Sequence, residues 1–231
     1  MIMGYYYFDW TYLLLIPGLI LGLWAQAQVK TTFERYSKVS TRLGRPAYEA
    51  VADLLRRNGN QQVIIKRVSG SLTDHYDPRN ETLNLSEDVY DSCSVAALGV
   101  AAHEAGHAMQ KQTNYAPLNL RSAAVPVVNI GSTLATPLFV LGLILSWKPL
   151  LTIGIVAFSL SVLFALITLP VEFDASRRAV QMLRDGGYVT ADELDGVQKV
   201  LRAAALTYVA SAVTSLLSLL RLILIARRRD D

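Results

Sequence analysis

The chain has 231 residues, 52% hydrophobic and 18% charged, with a formal net charge of +3. Its mean hydropathy of +0.31 points to a protein with much of its surface in lipid. The small positive excess sits near the ends of apolar stretches, which excludes a nucleic-acid footprint. The single cysteine, Cys93, excludes an internal disulfide and agrees with a reducing compartment.

In chain order, the first apolar stretch runs from about Trp10 to Val29, with Tyr5, Tyr6, Tyr7 and Trp10 as an aromatic belt at one end. Ala25-Gln26-Ala27 looks like a small-residue cleavage site. However, no Lys or Arg precedes Asp9, so residues 1–29 read as a retained anchor. Lys30, Arg35, Lys38, Arg42 and Arg45 follow it. By the positive-inside rule they put the N-terminus outside and the next segment in the cytoplasm.

Residues 30–122 read as a small α/β unit. Pro46 opens a helix that stops at Asn58-Gly59, with Ala47, Val51, Leu54 and Leu55 at helical spacing. Val63-Ile64-Ile65 reads as a short strand. Residues 71–76 and 81–85 form a hairpin closed by Asp77-Pro78-Arg79-Asn80, and the first of these is the candidate edge strand for an extended peptide. Ser94 caps a helix that continues to about Gln112, with Cys93 as its small neighbour.

Two further spans, about Ala123 to Trp147 and Leu150 to Leu169, form a membrane hairpin over 123–170, with a tight turn at Lys148-Pro149. Residues 171–202 are helical: one helix ends at Asp185-Gly186-Gly187 and Thr190-Ala191-Asp192-Glu193 is a capping box. Leu194, Val197, Val200 and Leu201 give the second helix a packing stripe. Residues 203–231 hold a fourth apolar segment, interrupted by Arg221, and a basic tail. Four full crossings would leave Arg227, Arg228 and Arg229 outside, against the positive-inside rule. The expected fold is an α+β membrane protein, mainly helical, with about four transmembrane helices and a small gluzincin-like α/β zinc-peptidase unit.

The chemistry centres on His103-Glu104-Ala105-Gly106-His107. At about 100° per residue, positions four apart differ by roughly 40° around a helix, so both imidazoles leave one face, as two ligands of one zinc ion must. Glu104 falls to the side of His107, where a carboxylate can take the proton of an attacking water. A catalytic zinc needs a third protein ligand. The remaining histidine, His75, is one candidate, and Glu172 in Leu169-Pro170-Val171-Glu172-Phe173 is the other.

Asp74-His75-Tyr76-Asp77-Pro78, Leu83-Asn84-Leu85-Ser86, Ala102-His103-Glu104-Ala105-Gly106-His107-Ala108 and Leu169-Pro170-Val171-Glu172-Phe173 together resemble the YugP-type family of neutral zinc metallopeptidases of bacterial membranes. The resemblance covers nearly the whole chain. More distantly, the chain looks like the membrane peptidases related to HtpX and the CAAX prenyl endopeptidases. Those carry a glutamate ligand in an E-x-x-x-D pattern on a helix after a membrane span. The resemblance implies Zn²⁺ held by His103, His107 and Glu172, although Ser176 stands where that pattern has Asp. Asp174 is then either a carboxylate behind a histidine or a solvated acid. His75 is either a hairpin histidine or a catalytic donor to the oxyanion. Arg177 and Arg178 read as interface or headgroup residues, or as partners of a substrate carboxylate.

The function expected is a multi-pass cell-membrane zinc endopeptidase with its active site facing the cytoplasm, Glu104 activating the water, and membrane-associated or misfolded polypeptides as substrates. Lipid is its other partner, and an oligomer is open. Intramembrane proteolysis of the site-2 kind fits less well, because the Ala-rich helix is short and runs into Gln110-Lys111-Gln112. The alternative from another class is a non-catalytic membrane scaffold with a structural zinc, a kind of site that favours four protein ligands, often cysteines.

Overall fold

In lipid every backbone N–H and C=O must be satisfied within the protein, so long apolar runs become helices. The computed structural model describes residues 9–228. Tyr5, Tyr6 and Tyr7 of the expected aromatic belt, and Arg229 of the tail, lie outside the described residues. Asp9 accepts the Thr11 N–H at 3.1 Å and starts a 3-10 turn, Trp10–Leu14, that leads into α1 (Leu15–Tyr36). After it come α2 (Ala47–Arg57), β1 (Ile64–Val68), β2 (His75–Asp77), β3 (Thr82–Ser86), α3 (Glu87–Tyr90), α4 (Val95–Gln112), α5 (Ala116–Ile144), α6 (Lys148–Asp185) and α7 (Ala191–Arg227). Among the described residues, four stretches are long and apolar enough to cross a membrane: Trp10–Tyr36, α5, α6 and α7. The architecture is thus mainly helical α+β.

Two boundaries differ from expectation. The turn between the second and third apolar segments lies at residues 145–147, with Ser146 at φ 52°. Lys148 and Pro149 instead open α6, where a missing proline N–H has no partner to lose. Further on, α6 runs unbroken through Pro170. A proline inside a helix costs about 3 kcal/mol. Beyond it Val171, Ala175, Ala179 and Leu183 are completely buried at helical spacing, and that packing holds the helix together.

By contacts the chain divides into two units. The apolar one comprises Met1–Trp24, Ala124–Leu166 and Val209–Asp231. Its α5 and α6 approach closely: a Cβ on Gly142 would lie 2.7 Å from the Leu151 nitrogen, and one on Gly154 would lie 2.8 Å from that of Phe139. Arg228 Nη1 lies 3.4 Å and Arg221 Nη2 3.9 Å from the Asp9 carboxylate. The start of the first apolar helix and the end of the last therefore share one end of this unit, where Asp9 offsets their positive charge.

The second unit comprises Ala25–Ala123 and Ile167–Tyr208. α2 presents Ala47, Ala50, Val51, Leu54 and Leu55 to α4, all buried; Leu54 and Leu55 contribute roughly 2 kcal/mol each. The sheet order is β1-β3-β2. β3 is buried along its length, β1 pairs with it in parallel (Ile64↔Thr82), and β2 pairs antiparallel (His75↔Asn84). β2 is therefore an edge strand, and it touches α4. It is shorter than the sequence suggests because Gly70 (φ 105°) and Leu72 (φ 55°) break the extended path. Asp74 takes over from the missing ladder by accepting the Ser86 N–H at 2.8 Å and its hydroxyl at 2.9 Å. The hairpin turn is braced by Asp77, which accepts the Arg79 N–H at 2.9 Å and an Asn80 amide N–H at 3.0 Å.

The expected caps are in place. Ser94 accepts the Ala97 N–H at 3.2 Å to start α4. Glu193 accepts the Thr190 N–H at 2.7 Å, while the Thr190 hydroxyl accepts the Glu193 N–H at 3.3 Å, which completes the capping box of α7. Val197, Val200 and Leu201 are buried as a stripe, with Leu194 partly so. Cys93 lies before α4 with its thiol 3.3 Å from the Gly44 carbonyl.

Candidate metal centre

α4 is lined with alanine. Ala97, Ala101, Ala102, Ala105 and Ala108 are all fully buried, so neighbouring backbones approach it closely. Gly106 makes the closest approach of all: a Cβ there would lie 2.4 Å from the Ala175 carbonyl oxygen of α6. That contact sets Glu172, one turn earlier on α6, opposite the two imidazoles.

His103 and His107 leave one face of α4 with ring centroids 4.8 Å apart. Glu172 Oε2 lies 3.2 Å from His103 Nε2 and 3.6 Å from His107 Nε2. Ligand atoms about 2.05 Å from a tetrahedral zinc ion stand about 3.3 Å from one another, so the spacing suits one such ion. Donor chemistry agrees, with two imidazole nitrogens and a carboxylate that is 2% exposed. Glu104 is also buried, at 8% exposure. Burial opposes a proton on His107, yet the Glu172 and Glu104 carboxylates and Gln110 outweigh it and raise its proton affinity. The site therefore draws positive charge.

Behind the imidazoles, His103 Nδ1 lies 3.1 Å from the Ser176 hydroxyl and His107 Nδ1 lies 3.0 Å from Gln110 Oε1. Gln110 in turn donates to the Val171 carbonyl at 2.8 Å and to Asp174 at 3.0 Å. Asp174 is held by Arg178 at 2.6 Å and by Arg177. It thus reaches His107 through an amide, and both arginines are tied to it. With each Nδ1 engaged, each Nε2 is turned toward Glu172, which leaves that nitrogen to face a metal.

Sequence reasoning missed Gln110 and Arg121. Gln110 had a signal, being three residues after His107 and so on nearly the same helix face. Arg121, whose Nη1 lies 3.1 Å from Glu172 Oε1, is 51 residues away in sequence and had none. His75 is outside the group formed by His103, His107 and Glu172. It sits exposed on β2, with Nδ1 2.8 Å from the Thr73 carbonyl and Nε2 3.2 Å from the Asn84 amide nitrogen. Its neighbour Asp74 has its carboxyl pushed up by burial; the Ser86 N–H and hydroxyl oppose the shift, and nearby Glu104 adds to it.

Residues 11–227 match the family described as "Putative neutral zinc metallopeptidase". The chain is similar to the "Putative membrane protease YugP" of Bacillus subtilis (strain 168), 49% identical over 212 residues that cover 92% of this chain and 94% of that one. No solved structure matches it.

Proposed function

We propose, since the chain belongs to this metallopeptidase family, that it is a membrane-embedded zinc endopeptidase whose ligands are His103, His107 and Glu172. The observation that carries the reading is the convergence of three donors on one point, with ligand atoms within 4.8 Å of one another and Glu104 buried beside them. A zinc ion bound there would supply Lewis acidity toward the scissile carbonyl and lower the pKa of a water. Glu104 takes the proton of that water as it attacks and passes it to the leaving amine nitrogen. β2, as an edge strand touching α4, offers its free backbone groups to an extended polypeptide.

Of the two readings of His75, hairpin histidine or oxyanion donor, we favour the first. Both ring nitrogens are engaged within the sheet, Nδ1 by the Thr73 carbonyl and Nε2 by the Asn84 amide nitrogen, which supports this reading. We assign it to bracing β2 against β3.

Glu172 follows the third apolar run on the same helix, and the basic residues from Lys30 to Arg45 follow the first. Both support a site on the cytoplasmic side, acting on membrane-associated or misfolded polypeptides.

The test is zinc content and proteolysis in the detergent-purified protein. One zinc per chain is expected, lost in His103→Ala and Glu172→Ala and kept in His75→Ala and Glu104→Gln. Glu104→Gln should abolish cleavage of a membrane-tethered peptide while retaining the metal. A scaffold with a structural zinc would be indifferent to that change, and equal cleavage of the same peptide without its tether would overturn the proposed substrate class.

A further inference from the structure

One contact at the metal centre has no part in the chemistry above. The two oxygens of Glu172 face different partners: Oε2 is turned to the imidazoles at 3.2 and 3.6 Å, whereas Oε1 lies 3.1 Å from Arg121 Nη1. Arg121 stands near the start of α5 and Glu172 late in α6, so the pair is formed by tertiary structure alone. The Glu172 side chain is 3% exposed and that of Arg121 30%. A carboxylate this buried needs a partner for each oxygen. A guanidinium, planar and permanently charged, fixes the direction of the carboxylate as an ammonium cannot.

We propose that Arg121 is a positioning residue that occupies Oε1 and so confines Glu172 to metal binding through Oε2 alone. Carboxylates bind metals through one oxygen or two. A two-oxygen Glu172 would fill the position that the water and the scissile carbonyl need, whereas a single-oxygen Glu172 leaves it open. The inference rests on the ligand set proposed above and deepens it. It concerns how the third ligand is held, and it predicts changes in metal binding that are separate from turnover.

The experiment uses the full-length protein in detergent, comparing wild type with Arg121→Gln and Arg121→Lys. Zinc affinity is measured by chelator competition and the visible absorption by cobalt substitution, with melting temperatures for the metal-free and zinc-loaded forms. In Arg121→Gln, zinc should bind on the order of 10–100-fold more weakly. Its cobalt absorption should lose intensity as Glu172 turns a second oxygen to the metal, and Arg121→Lys should fall between. A zinc affinity and cobalt spectrum unchanged in both variants would overturn the proposal. So would equal losses of melting temperature with and without metal alongside an unchanged spectrum, since that pattern belongs to a simple tie between helices. If Arg121→Gln does not fold, Arg121→Lys decides by the same criteria. Absence of zinc from the wild type would sink the ligand assignment itself, and with it this inference, before any variant is compared.

Discussion

His103 and His107 are backed by neutral groups, a serine hydroxyl and a glutamine carbonyl, and not directly by a carboxylate. The Gln110 amide can do this only because its nitrogen is engaged by Val171 and Asp174, which turns its oxygen to His107. Gln110→Ala should therefore weaken zinc binding roughly 10–100-fold, measured by chelator competition. Ser176→Ala should do less, because it strands no second buried partner. At this scale the motif made His103, Glu104 and His107 legible, and the family resemblance suggested Glu172. The groups that orient them were mostly not legible, since a hydrogen bond such as Arg121 to Glu172 joins residues 51 apart and leaves no local pattern. Asp174 shows the limit well: sequence identified the acid but not the amide between it and the imidazole.

At the scale of elements, the interface between α4 and α6 decides whether the site exists. The missing side chain of Gly106 is what lets the Ala175 carbonyl approach. Gly106→Ala should cost about 1–3 kcal/mol through overpacking and lower zinc content together with melting temperature. Caps and periodicity were legible because they are local: Pro46, Ser94 and the Thr190–Glu193 box all start helices where the sequence put them. The parallel pairing of β1 with β3, the short helix α3 and the shortening of β2 were not, because they depend on long-range pairing and on left-handed residues such as Leu72. A long-range contact links α2 to the loop after α6. Asp53 accepts the Tyr188 hydroxyl at 2.6 Å and pairs with Arg56 and Arg57. The Tyr188 hydroxyl and Arg56 hold the Asp53 carboxyl well below its usual range, while burial and Asp53 push the Tyr188 phenol up to about 12. A lowered acid contributes stability above its unfolded pKa of about 3.9, and loses it as pH falls through the folded value. A raised phenol contributes below its unfolded value of about 10 and loses it as pH rises through about 12. Tyr188→Phe should lower stability by about 1 kcal/mol at neutral pH and remove this alkaline loss, as followed by melting temperature against pH.

For the molecule as a whole, four crossings by the four apolar helices would bring Asp9 and Arg228 to one side of the bilayer, and the contact between these two residues within the apolar unit supports that expectation. Tags on the two termini should react from the same face of sealed vesicles, and reaction from opposite faces would leave only three crossings. Four crossings set the basic tail against the charge rule, which weighs lysines and arginines alone; Asp9, from the far end of the chain, lies beside Arg221 and Arg228 of that tail region.

The unit that holds the proposed zinc ligands is built from Ala25–Ala123 and Ile167–Tyr208, on either side of the hairpin of α5 and α6. His103 and Glu172 are 69 residues apart. At synthesis rates of about 5–20 residues per second, the glutamate leaves the ribosome roughly 3–14 seconds after the histidine. During that interval the nascent chain carries the motif but lacks its third proposed ligand, and the hairpin between them must be made first. On the proposed ligand set, proteolytic competence would thus come after synthesis of the hairpin, and a half-made copy would be no hazard to the proteins around it.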